Sequence, residues 1–191
     1  MKKLSFILSF LVLSLGVSAQ SAWKADPNHS RLGFTVTHLG IADVPGHFDA
    51  YDVTITASNQ DFSDAVVEMT AQTASINTRV EPRDKHLKSA DFFDVEKFPA
   101  MTFKSTSIRK AGENKYKLTG NLTLRGITKP VTVDMRYRGT TANPNAKGAP
   151  VAGIQITGTI KRSDFGLGKD FPAPMISDEV EIKADGEFGQ K

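Results

Sequence analysis

Between residues 115 and 137, apolar and polar side chains alternate with strict period two on both sides of a turn. Tyr116, Leu118, Gly120, Leu122 and Leu124 interleave with Lys117, Thr119, Asn121 and Thr123; beyond 125–130, Val131, Val133, Met135 and Tyr137 interleave with Thr132, Asp134 and Arg136. Successive side chains of a strand point to opposite faces, so this stretch predicts a β-hairpin with one apolar face, joined by a six-residue turn over 125–130. Whatever lies against that face is either packed core or the wall of a cavity, and Gly120 in its middle leaves room there.

The same texture recurs along the chain. A short strand at 23–26 is closed by Pro27, and in 31–38 Leu32, Phe34, Val36 and His38 share one face. Over 51–56, Tyr51, Val53 and Ile55 form the apolar series, and the change of phase after Phe48 predicts a bulge near Ala50. Further strands are expected within 64–78 and 101–109. In 151–161, Ala152, Ile154, Ile156, Gly158 and Ile160 share a face that parity extends to Arg162; in 179–188, Val180, Ile182, Ala184, Gly186 and Phe188 do the same. Only 81–93, with Pro82 early and few β-branched residues, predicts a helix, and a short one. The Gly-, Pro- and Asn-rich stretch 140–150 predicts a surface loop. About eight antiparallel strands with half-apolar faces need a second sheet or closure on themselves. Their length favours a tilted barrel wall over a sandwich.

The first nineteen residues stand outside this pattern: Lys2 and Lys3 precede an apolar run over 4–17, with Val17 and Ala19 at the minus-three and minus-one positions before Gln20. That is the form of a secretory signal peptide, which leaves 20–191 as one folded domain. No cysteine occurs anywhere, so there is no lipoprotein anchor, no disulfide and no thiol catalysis. The formal charge of +3 falls to +1 without the two leader lysines, and acidic and basic residues interleave. A nucleic-acid partner would want a clustered basic face, which is missing.

Catalytic signatures are also missing: there is no nucleophile elbow, dinucleotide fingerprint or metalloprotease helix. Gly166-Leu167-Gly168-Lys169 runs into Pro172 and Pro174 instead of the helix a phosphate loop requires. The four histidines, His29, His38, His47 and His86, form no pair at metal-ligand spacing, so no metal or other cofactor is expected. His38 continues an apolar face and Arg162 follows another; each could anchor a polar head group, while Arg162 could equally pair with Asp164 or Asp84. Phe92, Phe93, Phe98 and Phe103, from a chain with 12 phenylalanines, suit a lid that plugs or gates a barrel end.

Taken together, the segments 29–48, 75–105 (with SINTRVEPRDKHLKSADFFDVEKF at its start), 118–131 (LTGNLTLRGITKPV), 162–166 (RSDFG) and 177–182 (SDEVEI) resemble the YceI-like polyisoprenoid-binding family, in order over nearly all of 20–191. The resemblance implies an all-β fold, an extended eight-stranded antiparallel lipocalin-like barrel with one short helix, exported to the periplasm. It further implies an apolar cavity for a long-chain isoprenoid or acyl lipid. On that reading the cavity wall is Phe34, Val36, Leu118, Leu122, Val133, Met135, Ile154, Ile156 and Ile182; the residue pattern adds Phe92, Phe93 and Phe103 at the lid and His38 and Arg162 as polar anchors, and none of them is catalytic. A homodimer is admissible. Two rival readings stand beside the carrier: an enzyme acting on a similar amphiphile, with His38 and Asp84 or Glu81 as acid–base groups, and a structural domain whose barrel is filled.

Overall fold

The computed structural model describes residues 20–191; the expected signal peptide lies outside the described residues. The chain forms β1 (Ser21–His38), β2 (Ala42–Phe48), β3 (Tyr51–Ala57), β4 (Val66–Gln72), β5 (Ile76–Asn77), α1 (Glu81–Lys88), β6 (Ala100–Gly112), β7 (Lys115–Leu124), β8 (Ile127–Ala142), β9 (Pro150–Lys161) and β10 (Glu179–Gln190). All pairings are antiparallel, and β10 bonds to both β9 and β1, which closes the sheet into a barrel.

Ten strands make eight staves. β2 and β3 run as one line against β1, with Leu32 opposite Phe48 and Lys24 opposite Thr54. The line breaks at Asp49-Ala50, where the change of hydrophobic phase places a bulge. β4 and β5 form a second interrupted line beside it, broken by the 3-10 turn Thr73–Ser75. The breaks are zipped together: Asp49 N donates to Ser75 O at 3.1 Å, and Gln72 N to Ala50 O at 2.9 Å. No backbone group need be orphaned where both staves bend.

Local chemistry corrects several sequence boundaries. The hairpin turn is two residues, not six: Leu124 pairs with Ile127, and Arg125 and Gly126 have φ of 51° and 71°. A two-residue link with both φ positive follows the twist of its strands, so Pro130 lies within β8 opposite Asn121. The loop 140–150 shrinks to 143–149, because 140–142 continue the ladder to Pro150. The stretch 23–26 is not separate but the start of β1, whose register shifts between Ala25 and Ser30. The helix ends at Lys88, leaving Phe92 and Phe93 in the turns that follow.

The interior is packed at both ends. At the first end Trp23, Ile55, Tyr116, Leu118, Met135, Ile154 and Phe188 surround Phe62, which enters from the loop 58–65. Its ring lies 5.2 Å from Trp23 and 5.0 Å from Tyr137. At the second end Leu32, Phe48, Met101, Leu124, Phe165 and Leu167 pack with Phe92 and Phe93.

Candidate functional site

Parity fixes which side chains face the axis; burial distinguishes fully covered from partly covered positions. On the inward faces Phe34, Val36, Val53, Met69, Phe103, Val131, Ile156, Ile160, Val180 and Ile182 remain half-buried, although they point into the barrel. Pairing joins many of them: Phe34 lies opposite Ile182, Val180 opposite Ile160, Val53 opposite Met69, and Met69 opposite Phe103. This band of partly covered apolar surface, bordering both packed ends, is the candidate binding site.

The expected site residues divide accordingly. Phe34, Val36, Phe103, Ile156 and Ile182 lie in the half-buried band. Leu118, Met135 and Ile154, exposed by 0%, 1% and 2%, are instead core of the first end. Leu122 and Val133 are buried, the former in the second cluster and the latter in the first. Phe92 and Phe93 are buried in the cap of the second end, with Phe93 edge-on to Phe48 at 5.7 Å. The room beside Gly120 is taken: a Cβ there would stand 2.4 Å from the Phe103 ring. Missed by the sequence reading as lining were Val53, Met69, Val131, Ile160 and Val180. Their alternation was visible, but alternation marks a face and is silent about what lies opposite it.

The two polar candidates change role. Arg162 is buried, and its guanidinium meets neither Asp164 nor Asp84. Its Nε donates to Ser177 O (2.9 Å), Nη1 to Leu167 O (2.8 Å) and Gly168 O (2.7 Å), and Nη2 to Ile176 O (3.0 Å) and Phe171 O. A guanidinium has five N–H donors, and every one serves a backbone carbonyl of 167–177. Arg162 therefore folds that loop and has no donor left for a head group. His38 is exposed at the end of β1, bridged to Ile176. No hydrogen bond or ion pair links it to Asp84 or Glu81 among the described residues; Asp84 accepts from Thr78 N at 2.8 Å.

The cap of the second end is held by polar ties around these aromatics. Arg125, at the β7–β8 turn, donates to Ala90 O at 2.6 Å and to Gly166 O, so one side chain grips both cap loops. Gly168 N donates to Asp91 O at 2.8 Å, and the Phe92 and Phe171 rings stack at 5.2 Å with His86 against both.

The other histidines face carboxylates at the surface. His47 Nε2 lies 2.9 Å from Asp49, and His86 Nε2 lies 2.9 Å from Asp91. The fold also gathers His29, Asp26 and Glu187, with ligand atoms within 4.8 Å of one another. The ring of His29 bonds Asp26 at 2.8 Å, which accounts for the grouping without an ion. That hydrogen bond raises the pKa of His29, helped by the charges of Asp26 and Glu187, and lowers that of Asp26, which also accepts from Asn28 N.

Residues 23–188 match the YceI-like domain. The chain belongs to the YceI-like family. It is 40% identical over 187 residues to Protein YceI of Salmonella arizonae, covering 95% of each chain. Its fold is similar to that of the Campylobacter jejuni YCEI protein, with a TM-score of 0.74, 31% identity and coverage of 81% of this chain and 90% of that one. A polyisoprenoid binding domain from Saccharophagus degradans, implicated in plant cell wall breakdown, shares the fold at a TM-score of 0.65 and 15% identity, with coverage of 91% and 99%. In this YceI-like barrel the candidate site is an apolar interior, and no hydrogen bond or ion pair joins His38 to Asp84 or Glu81 among the described residues.

Proposed function

We propose that this YceI-like protein is a periplasmic carrier that holds one long-chain amphiphile, a polyisoprenoid, isoprenoid quinone or fatty-acid derivative, inside its barrel. The observation that carries the reading is the half-buried apolar band between two packed ends. Apolar surface that faces inward yet remains accessible is what a chain of methylenes covers, at about 0.8 kcal/mol for each one removed from water. The Saccharophagus degradans neighbour, a polyisoprenoid binding domain, supports the class of ligand through shared architecture. A leader of secretory form supports export.

The test is direct. The full chain is expressed in a Gram-negative host, recovered from the periplasmic fraction, extracted with organic solvent and examined by mass spectrometry. A stoichiometric long-chain lipid is expected. Repeated extraction without lipid, together with failure to take up added lipid, would overturn the carrier; retention in the cytoplasmic fraction would overturn its location.

A further inference from the structure

The hydroxyl of Tyr51 is the one buried side-chain nitrogen or oxygen without a hydrogen-bond partner among the described residues. The other two tyrosines are satisfied: Tyr116 donates to Asp61 O at 2.6 Å, and Tyr137 bonds Thr140 at 2.8 Å. A buried hydroxyl that has given up water and gained nothing carries a desolvation penalty that phenylalanine would avoid, so an unpaired one asks for an explanation.

Its position supplies one. Tyr51 opens β3 just after the break at Asp49-Ala50, and it shares the inward parity of Val53 and Ile55. Directly across the ladder stands Ala71, whose side chain has no polar group to offer the hydroxyl. The ring packs against the second-end cluster that includes Phe48, Phe92 and Phe93, as do half-buried Phe34, Met69 and Phe103. The side chain is thus set among apolar neighbours that border the proposed lipid site, with its oxygen buried and unpaired. Burial pushes its pKa up, so the hydroxyl keeps its proton and is available as a donor. Both rim candidates are disqualified as buried anchors: Arg162 has all five donors engaged, and His38 is exposed.

We infer that Tyr51 is the specificity-determining polar contact of the barrel interior, donating a hydrogen bond to a carbonyl or hydroxyl oxygen that the ligand carries inside. The inference rests on the carrier reading and deepens it: the ligand is an oxygen-bearing amphiphile and not a pure hydrocarbon, and its oxygen lies within the barrel.

The experiment compares delipidated wild type with Tyr51→Phe, using oleyl alcohol and octadecene as matched probes in a fluorescent-lipid displacement assay. Wild type is expected to prefer the alcohol, and Tyr51→Phe to bind it about fivefold to tenfold more weakly, the range of one hydrogen bond, with octadecene unchanged. In denaturant melts the lipid-free Tyr51→Phe protein is expected to match or exceed wild type, since it loses only an unpaired hydroxyl. Equal alcohol affinity in the two proteins overturns the role of Tyr51 and leaves the carrier standing. A less stable lipid-free variant overturns it too, because the hydroxyl would then have a structural partner. If wild type binds neither probe, the carrier reading falls and the Tyr51 assignment with it.

Discussion

The two ends of the barrel are closed by different physics. At the first end one loop, 58–65, inserts Phe62 among Trp23, Tyr116 and Tyr137, and apolar side chains meet one another with little surface left over. At the second, two loops are stitched to each other and to the β7–β8 turn by guanidinium–carbonyl bonds from Arg125 and Arg162. Val53, Phe103 and Ile156 border the first cluster and remain half-buried, while the second cap adds polar backbone ties to its own apolar cluster. The half-buried band lies between these two closures, and it is the candidate binding site.

The contrast can be broken most strongly at Phe62. Phe62→Ala removes the ring on which the first end is built and should lower stability by about 3–5 kcal/mol in denaturant titrations. If the ends are separable, lipid bound per folded molecule should be retained. Arg162→Met comes next. It strands the carbonyls of Leu167, Gly168, Phe171, Ile176 and Ser177 and should destabilise by about 3 kcal/mol, roughly the penalty of one or two buried groups left unpaired. Its signature is local: hydrogen exchange should accelerate across 165–178 before it does in β7. Uniform acceleration would show that the cap is not a separate unit.

Two glycines sharpen the picture at smaller scale. A Cβ on Gly120 would stand 2.6 Å from the Lys104 carbonyl as well as 2.4 Å from Phe103, and a backbone atom cannot swing aside. Gly120→Ala should therefore cost about 1–3 kcal/mol. The three heavy atoms nearest a Cβ on Gly46 all belong to the Phe34 ring, the closest 2.2 Å away, and that half-buried side chain can shift where a backbone carbonyl cannot. Gly46→Ala should spare stability relative to Gly120→Ala but reduce bound lipid, read by titration of the delipidated protein.

The smallest effect lies on the outside, at His29. Its pKa is raised in the folded state, so its contribution is complete below the unfolded value and disappears as pH rises through the folded one. Asp26, with a lowered pKa, contributes above its unfolded value and loses that contribution as pH falls through the folded one. Nuclear magnetic resonance titration should find His29 changing charge above an ordinary histidine. Asp26→Asn should return it toward the usual value, and a ring that titrates normally in the wild type would remove the pairing.

Much of the wall was legible along the chain. The period-two faces of β7, β8, β9 and β10 appear in the fold with the parity read from the residues, and the phase change after Phe48 marks the break at Asp49-Ala50. These features are local: side-chain alternation is built into an extended backbone, and a slip of one residue would turn a whole face outward. Turn length was less legible, because Arg125 adopts a positive φ that its residue type does not advertise.

What the chain alone determined was a set of apolar faces on antiparallel strands, with strand length favouring a barrel; the pairing of β10 with β1 closed it. Which part of each face is core, which is lining and which is plug was decided by the tertiary structure. Leu118 and Phe34 look alike in sequence, yet one is fully buried in the first cluster while the other stays half-buried at the edge of the second. Arg162 could have met a carboxylate or a head group until the fold placed five carbonyls around it. Burial and hydrogen-bond satisfaction depend on residues far apart in the chain, and no pattern within a single strand encodes them.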